Sequence, residues 1–143
     1  MKKAINGIVD VLDSAGIEYE KLNSAECEVI VERWLSVFSS NVKKKTGAWI
    51  YKGLKWHCFS WGFEDAKNGT IALQAYQSQW PTPYVIFDDG GNWCYRCESQ
   101  DYPDLTVLGS DIYVAHQNMK WTIAFTHEQP QIGPFFCEYR PGP

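Results

Sequence analysis

Residues 111–116 read Asp-Ile-Tyr-Val-Ala-His, residues 120–128 read Lys-Trp-Thr-Ile-Ala-Phe-Thr-His-Glu, and residues 133–136 read Gly-Pro-Phe-Phe. From residue 112 and again from residue 121, apolar side chains follow the two-residue period of a β-strand. A short turn separates the two runs, so the stretch predicts a tight hairpin. The hairpin ends in a polar cluster of Thr126, His127 and Glu128. A last short strand is expected at 135–139.

Two further hairpins are predicted upstream of this stretch. Strands are expected over 48–51 and 54–63, joined by a turn in which Gly53 supplies a positive φ. A second pair is expected over 84–87 and 93–98, joined by Asp-Asp-Gly-Gly-Asn, a composition typical of turns. The second half of the chain is therefore predicted to form a sheet built from hairpins.

Helical periodicity dominates the N-terminal part of the chain. Apolar side chains recur at helical spacing over 2–15 and, more strongly, over 24–39. Asn23 and Glu26 have the spacing of a capping box at the start of the second helix. A third, short helix is predicted over 70–79, where alanine, leucine and glutamine favour this conformation.

Two connecting segments complete the secondary-structure prediction. Residues 17–22 are interpreted as a short linker or an edge segment. Residues 39–46, which include three consecutive lysines at 43–45, are predicted to be a loop. The lysine run is interpreted as a solvated turn, and contact with a phosphate or an acidic partner is the alternative.

The order of these elements decides the fold class. Helices come first and hairpins follow, which is typical of α+β proteins and not of alternating βαβ folds. We predict N-terminal helices packed on a mostly antiparallel, hairpin-built β-sheet, in a single domain over 1–143. A chain of 143 residues buries roughly two-thirds of its unfolded surface, so folding requires neither a disulfide nor a metal.

The composition narrows the function classes. The net charge of −4 and the pI of about 5.3 argue against a general nucleic-acid binder, which is usually basic. No apolar run approaches the roughly 18–20 residues that cross a bilayer, and the first residues do not resemble a signal peptide. We therefore expect a soluble, cytoplasmic protein with no nucleic-acid or membrane partner, whose five cysteines stay reduced.

Cys94 and Cys97 form the sharpest short motif. With Trp93 they mimic the Trp-Cys-x-x-Cys sequence of thiol redox proteins. A redox pair, however, lies at a helix N-terminus, where the helix dipole lowers the pKa of the first thiol. On a strand, positions 94 and 97 point to opposite faces. Thiol redox chemistry stays as an alternative function, and no metal site is predicted because a second ligand pair at zinc spacing is lacking.

His127 with Glu128 is the candidate for acid–base chemistry. Such a pair suits a small, hydrolase-like enzyme, which is the other alternative to a binding protein. Adjacent residues on a strand point to opposite faces, and no further residues are expected to converge on the pair. Thr126 and His127 are instead expected to hold the loop over 130–134 against the sheet. No catalytic residue and no cofactor are therefore assigned.

Acidic side chains and aromatic rings in the second half of the chain suggest a protein-binding surface. Aromatic residues make up 15% of the chain, more than a small core obviously needs. Rings can anchor an interface while carboxylates steer a basic partner. Trp80 is one candidate for an exposed ring. We predict that the partner-binding surface is formed by Asp88, Asp89, Trp93, Glu98, Asp101, Tyr102 and Asp104.

Short motifs, most of them near the C-terminus, carry a family resemblance. They are Trp121-Thr122, Thr126-His127-Glu128, Gly133-Pro134-x-Phe136 and, in the middle of the chain, Trp56-His57-x-Phe59-Ser60. The chain resembles a family of small bacterial proteins with this C-terminal signature, similar to the immunity proteins of toxin systems, including contact-dependent inhibition. The resemblance implies a protein that binds and neutralises a cognate toxin domain, not an enzyme. It supplies no catalytic residues.

Overall fold

A seven-stranded antiparallel sheet forms the centre of the protein in the computed structural model, which describes residues 7–139. The strands are β1 (Glu18–Lys21), β2 (Lys67–Asn68), β3 (Tyr84–Asp88), β4 (Cys94–Glu98), β5 (Ile112–His116), β6 (Trp121–Phe125) and β7 (Phe135–Glu138). Their order in the sheet is β1-β4-β3-β5-β6-β7-β2, and every neighbouring pair is antiparallel. The helices are α1 (Ile8–Ser14), α2 (Ser24–Phe38), α3 (Ser40–Thr46), α4 (His57–Ser60) and α5 (Thr70–Gln77), with a 3-10 turn at Thr106–Leu108. The α+β prediction is confirmed.

Helices cover both faces of the sheet. Side chains of α2, α3 and α4 form one core with Val85 and Phe87 of β3. Side chains of α1 and α5 form the other core with Tyr84 and Ile86 of the same strand. Successive residues of a strand point to opposite faces, so a strand that is covered on both sides is buried along its whole length. All five residues of β6 are buried for this reason.

The second predicted helix is confirmed as α2. The side chain of Asn23 accepts a hydrogen bond from the backbone N–H of Glu26, and the Glu26 carboxylate accepts one from the backbone N–H of Asn23, which completes the predicted capping box. Trp34 lies at the centre of the α2 core and is fully buried. Its Nε1–H donates to Oγ1 of Thr122 in β6 over 2.9 Å, and that hydroxyl donates to the carbonyl oxygen of Val114. This polar chain fixes α2 on the sheet.

The two strands predicted over 48–51 and 54–63 are wrong. Only an isolated bridge joins Tyr51 to Leu54, and His57–Ser60 is the short helix α4. Cys58 and Phe59 are neighbours, yet both are buried in the α2 core. A strand with one buried face cannot place consecutive side chains in one core, whereas a helical turn can. The burial of both side chains in one core therefore explains why a strand does not form here.

The loop predicted over 39–46 is also wrong, because α3 occupies it. Val42 is buried in the α2 core, and Gly47 ends the helix with a φ of 84°. The three lysines at 43–45 lie in the last turn of α3 and are exposed. Positive charge at a helix C-terminus is favourable because the helix dipole is negative there.

The remaining elements follow the predictions closely. The predicted helix over 70–79 is α5, and the edge segment over 17–22 contains β1, a true edge strand. Both later hairpins and the last strand are confirmed. Residues 2–6 of the first predicted helix lie outside the described residues. Within residues 7–139, no helix has the length and apolar character to cross a membrane.

The polar end of the β5–β6 hairpin holds the next loop in place. Oγ1 of Thr126 donates a hydrogen bond to the carbonyl oxygen of Ile132, as expected for a residue that ties down the 130–134 loop. Gly133 has a φ of 87°, and a Cβ at this position would lie 2.8 Å from Cγ2 of Thr126. The close approach of loop and sheet therefore requires glycine at this position.

Candidate functional site

The structure divides the predicted partner-binding residues between two places. Asp88, Asp89 and Trp93 lie on or beside the turn that joins β3 to β4. Glu98 lies at the far end of β4, and the other three predicted residues follow it in the next loop. The seven residues therefore do not form one continuous surface, because they lie at opposite ends of the β3–β4 hairpin.

Asp88 and Asp89 hold loops together. Oδ1 of Asp88 accepts hydrogen bonds from the backbone N–H groups of Asn92 and Trp93, at 2.8 and 3.2 Å, which closes the β3–β4 turn. Oδ1 of Asp89 accepts from the hydroxyl of Tyr113 at 2.6 Å and from the backbone N–H of Lys55 at 3.0 Å. These carboxylates are engaged within the protein, which makes them poor anchors for a partner.

Asp111 organises a polar cluster beside this turn that the sequence analysis missed. Its Oδ1 accepts from Nε1 of Trp56 at 2.9 Å and from the backbone N–H of His127 at 3.0 Å. Nδ1 of His127 lies 2.9 Å from both carboxylate oxygens. This hydrogen bond raises the pKa of His127, and the negative charge of Asp111 adds to the effect.

The partner of His127 is therefore Asp111 and not Glu128, and the expectation that nothing converges on His127 is wrong. The Glu128 side chain is exposed, and its backbone N–H donates to Oγ1 of Thr126. Strand register alone does not predict this contact. Ile112 pairs with Phe125, so the register brings Asp111 next to Thr126, and the turn after β6 carries His127 to the same carboxylate.

The loop after β4 contains one clear error. Tyr102 is buried in the α5 core, where its ring centroid lies 5.2 Å from that of Trp121 and 5.4 Å from that of Tyr76. The prediction that Tyr102 offers its ring to a partner is therefore wrong. Asp104 is exposed, but its Oδ1 accepts from the backbone N–H of Thr106, the first residue of the 3-10 turn. Asp101 is exposed.

Glu98 belongs to an acidic surface at one edge of the sheet. It pairs directly with Glu18 of β1, and Glu20 pairs with Arg96. Directly paired residues point to the same face, so the three glutamates and Arg96 share one side of the β1–β4 pair. All four are exposed. We call the three glutamates Glu18, Glu20 and Glu98 the acidic edge.

Two properties distinguish the acidic edge from an ordinary charged surface. First, the outer side of β1 pairs with no other strand in residues 7–139, so its backbone groups face outwards. Second, Glu18 and Glu98 are like charges at directly opposite positions, an arrangement that destabilises a strand pair by about 0.2–1 kcal/mol. Nothing in composition or periodicity pointed to Glu18 or Glu20, because the pairing of β1 with β4 is not a local property.

A groove with an exposed tryptophan lies at the Glu98 end of the sheet. Trp80 is 89% exposed and, with His116, Lys120 and Tyr139, lines a groove of about 680 Å³. Tyr84 of β3 pairs with Cys97 on one side and with His116 on the other, which puts Glu98 and the groove at the same end. Partial burial and the nearby Lys120 charge lower the pKa of His116. We call this feature the Trp80 groove.

The cysteines are buried and unpaired. Cys94 packs in the α2 core and Cys97 in the α5 core, so the prediction that they point to opposite faces is confirmed. Burial raises the pKa of Cys97 to about 12 and the pKa of Cys94 well above its usual value. Thiol redox chemistry needs an accessible thiolate, which neither site provides.

Metal-ligating side chains are scattered in the structure. Among residues 7–139, no three histidine, cysteine or acidic side chains are placed to hold one metal ion. Nδ1 of His57 lies 2.8 Å from the carbonyl oxygen of Tyr51 and helps to position the loop before α4.

Comparison with known proteins identifies the family. The model of the family described as "Domain of unknown function (DUF4275)" matches residues 7–136, which is most of the chain. The chain therefore belongs to this family. No curated protein and no solved structure matches it.

Proposed function

We propose that this member of the DUF4275 family is an immunity protein, which binds a cognate bacterial toxin domain in the cytoplasm and blocks it by protein–protein contact. The observation that carries the proposal is the pairing of Glu18 with Glu98 at an open sheet edge. The negative net charge and the C-terminal motifs that resemble immunity proteins are consistent with it.

Protection against aggregation is a simpler explanation for the charges on the acidic edge. Charged side chains on edge strands discourage sheets from aggregating edge to edge. A single charge, such as that of Lys21, already serves this purpose. Two carboxylates placed directly opposite each other add a cost in stability with no further protection. A basic surface on a partner converts this repulsion into attraction and speeds the encounter.

The surroundings of the acidic edge suit a protein partner. The outer side of β1 offers backbone donors and acceptors to an extended segment, a common mode of peptide recognition. The Trp80 groove lies at the Glu98 end of the same sheet, and an exposed tryptophan is a typical anchor residue of interfaces. Charge would thus provide orientation, while the ring and the backbone edge provide contact.

The experiment is a titration of the purified protein with the toxin-like domain encoded beside its gene. We expect a stable complex whose affinity falls by at least about tenfold in the E18K/E98K variant, because both carboxylates become positive. The matched control is E28K/E32K, which makes the same change in charge on the exposed side of α2. We expect this control to stay within about twofold of the unmodified protein, a difference of ~0.4 kcal/mol.

A growth assay gives the biological outcome. Cells that produce the toxin domain should survive with the unmodified protein or with E28K/E32K, and should die with E18K/E98K. The proposal is refuted if no complex forms with the neighbouring domain. It is equally refuted if both variant pairs weaken binding to the same extent, because the effect would then reflect net charge and not the acidic edge.

A small hydrolase-like enzyme is the second candidate, and the Asp111–His127 contact favours it. A carboxylate on Nδ1 orients an imidazole so that Nε2 can act as a general base. Within the described chain no serine, threonine or cysteine side chain donates to this ring, so the base would act on water. A screen of chromogenic ester and phosphodiester substrates tests this candidate. Hydrolysis that disappears in a folded His127→Ala variant supports it, and equal hydrolysis by both proteins removes it.

A further inference from the structure

The segment from α3 to Phe63 carries a surface of opposite character to the acidic edge. Positive side chains and partly or fully exposed rings contact each other here. We call this surface the basic aromatic patch; it consists of Lys43, Lys45, Lys52, Trp49, Tyr51, Trp61 and Phe63. Every cation–π contact found in residues 7–139 falls within it.

The lysines of the patch lie over its rings. Nζ of Lys52 is 4.3 Å from the ring centroid of Trp61 and 5.6 Å from that of Tyr51. Nζ of Lys43 lies 5.8 Å from the ring centroid of Trp49. These distances are within the range of cation–π attraction. The contacts hold positive charge against apolar surface instead of letting the lysines extend freely into water.

The backbone that carries the patch is fixed from several sides. Oγ of the buried Ser39 donates to the carbonyl oxygen of Trp49, and Nζ of Lys43 donates to the carbonyl oxygen of Gly47. His57 contacts the carbonyl oxygen of Tyr51, as described above. The loop is thus positioned by contacts within the protein, which lowers the entropy cost of binding a partner.

Exposed apolar side chains complete the patch. The side chains of Trp49 and Trp61 are 39% and 55% exposed, and Ile50 beside Trp49 is 39% exposed. A core-forming segment would bury such residues, as the neighbouring Trp56 is buried. Rings and an aliphatic side chain beside lysines match an interface in which apolar anchors are surrounded by charge.

We propose that the basic aromatic patch is a docking surface for an acidic segment of a protein partner, separate from the acidic edge. The patch is complementary in charge to carboxylates, while its rings and Ile50 accept apolar side chains between them. A protein segment fits better than a nucleic acid. A polynucleotide carries charge along its whole length and would be repelled by a chain of net charge −4, whereas a short acidic segment covers the patch alone.

The two charged surfaces lie on different elements of the fold. The acidic edge is formed by β1 and β4, whereas the patch is formed by α3 and the residues before and after α4. Asn41 of α3 donates to the carbonyl oxygen of Phe63, which keeps the end of the patch against α3. A partner on the patch would therefore leave the acidic edge accessible, and the proposal does not depend on the toxin-binding role.

The test measures fluorescence anisotropy with labelled probes of defined charge. The probes are a short peptide of alternating glutamate and phenylalanine, a peptide of equal length with lysine in place of glutamate, and a thymidine oligonucleotide. We expect the acidic peptide to bind and to lose affinity as the salt concentration rises, because charge drives the contact. The lysine peptide and the oligonucleotide should bind at least about tenfold more weakly than the acidic peptide.

Two pairs of variants localise the binding. K45E/K52E removes the positive charge, and its control is K21E/K67E, which makes the same change on the two edge strands. Trp61→Ala removes a ring without changing the charge, and its control is Ile71→Ala, at an exposed apolar side chain of α5.

Each patch variant should lower the affinity for the acidic peptide by at least about tenfold, and each control should lower it by less than about twofold. Circular dichroism confirms that each variant is folded, and all the altered side chains are exposed, so unfolding is not expected. Absence of acidic-peptide binding overturns the proposal, as does an equal loss in patch and control variants. Tighter binding of the oligonucleotide also overturns it and identifies a nucleic-acid surface instead.

Discussion

Replacing Glu18 by lysine should stabilise the protein and weaken its partner complex at the same time. Glu18 and Glu98 are directly opposite in the β1–β4 pair, so their charges lie ~5 Å apart and repel by about 0.8 kcal/mol in water. Reversing one charge turns this repulsion into attraction. Solvent screening and side-chain mobility reduce the gain in the free energy of unfolding to about 0.2–1 kcal/mol, since both side chains are exposed.

The assay is urea denaturation at low salt, with tryptophan fluorescence as the readout. It is applied to the double-mutant cycle formed by the unmodified protein, E18K, E98K and E18K/E98K. E18K and E98K should each be more stable than the unmodified protein, with a free energy of unfolding about 0.2–1 kcal/mol higher. E18K/E98K restores a like-charge pair, so its stability should fall below the sum of the two single changes. High salt should shrink all three differences. Additive single effects at low salt would refute the reasoning, because they would mean that the two carboxylates do not interact.

Three further predictions concern the core and the polar cluster. Thr122→Val should lower the free energy of unfolding in urea by about 1–3 kcal/mol, because it leaves the buried indole N–H of Trp34 without an acceptor. Asp111→Asn should lower the pKa of His127 in an NMR titration. Asp111 raises the pKa of His127 in the folded protein, so protonated His127 stabilises the fold. This contribution to stability is fully present below the pKa of histidine in the unfolded chain and is lost as the pH rises through the pKa of His127 in the folded protein. It should disappear in the variant. Gly133→Ala should cost more than about 1 kcal/mol of thermal stability, since alanine is strained at a φ of 87° and its Cβ meets the neighbouring threonine. An unchanged midpoint, an unchanged pKa or an unchanged melting temperature would contradict the respective prediction.

Elements with local signals were predicted well. The apolar stripe of α2 and its capping residues lie within one continuous segment, so the helix and its first residue could be located from the sequence. The β5–β6 hairpin has the same property, because a tight turn and strict alternation determine the register between neighbouring strands. That register also places Asp111 beside Thr126, but His127 reaches Asp111 from the turn after β6, which the register does not describe.

Elements shaped by distant contacts were predicted poorly. Residues 47–63 have an amino-acid composition that is typical of β-strands, but the chain follows an irregular path into α4. The path is set by contacts with the other half of the chain. Nε1 of Trp56 donates to Asp111, and the backbone N–H of Lys55 donates to Asp89. No pattern within the segment encodes these partners.

The candidate site shows the same division. Glu98 is exposed, whereas Glu18 and Glu20 on the same side of the β1–β4 pair could not be found from the sequence, because β1 and β4 are far apart in the chain. Tyr102 was expected to be exposed and is buried, because the loop after β4 crosses the face that α5 covers. Exposure of an aromatic ring depends on what packs over it, and that is not a local property.

The amino-acid sequence was sufficient to predict the α+β class, the helix α2, the two later hairpins and the opposite orientation of Cys94 and Cys97. Each of these follows from side-chain periodicity or turn chemistry over a short stretch of chain. Only the tertiary structure reveals the pairing of β1 with β4, the irregular path of residues 47–63 and the location of the acidic and basic surfaces on different elements. These features arise where segments that are far apart in the chain pack against each other. The arrangement there depends on which side chains pack best together in the core, and no short stretch of sequence contains that information.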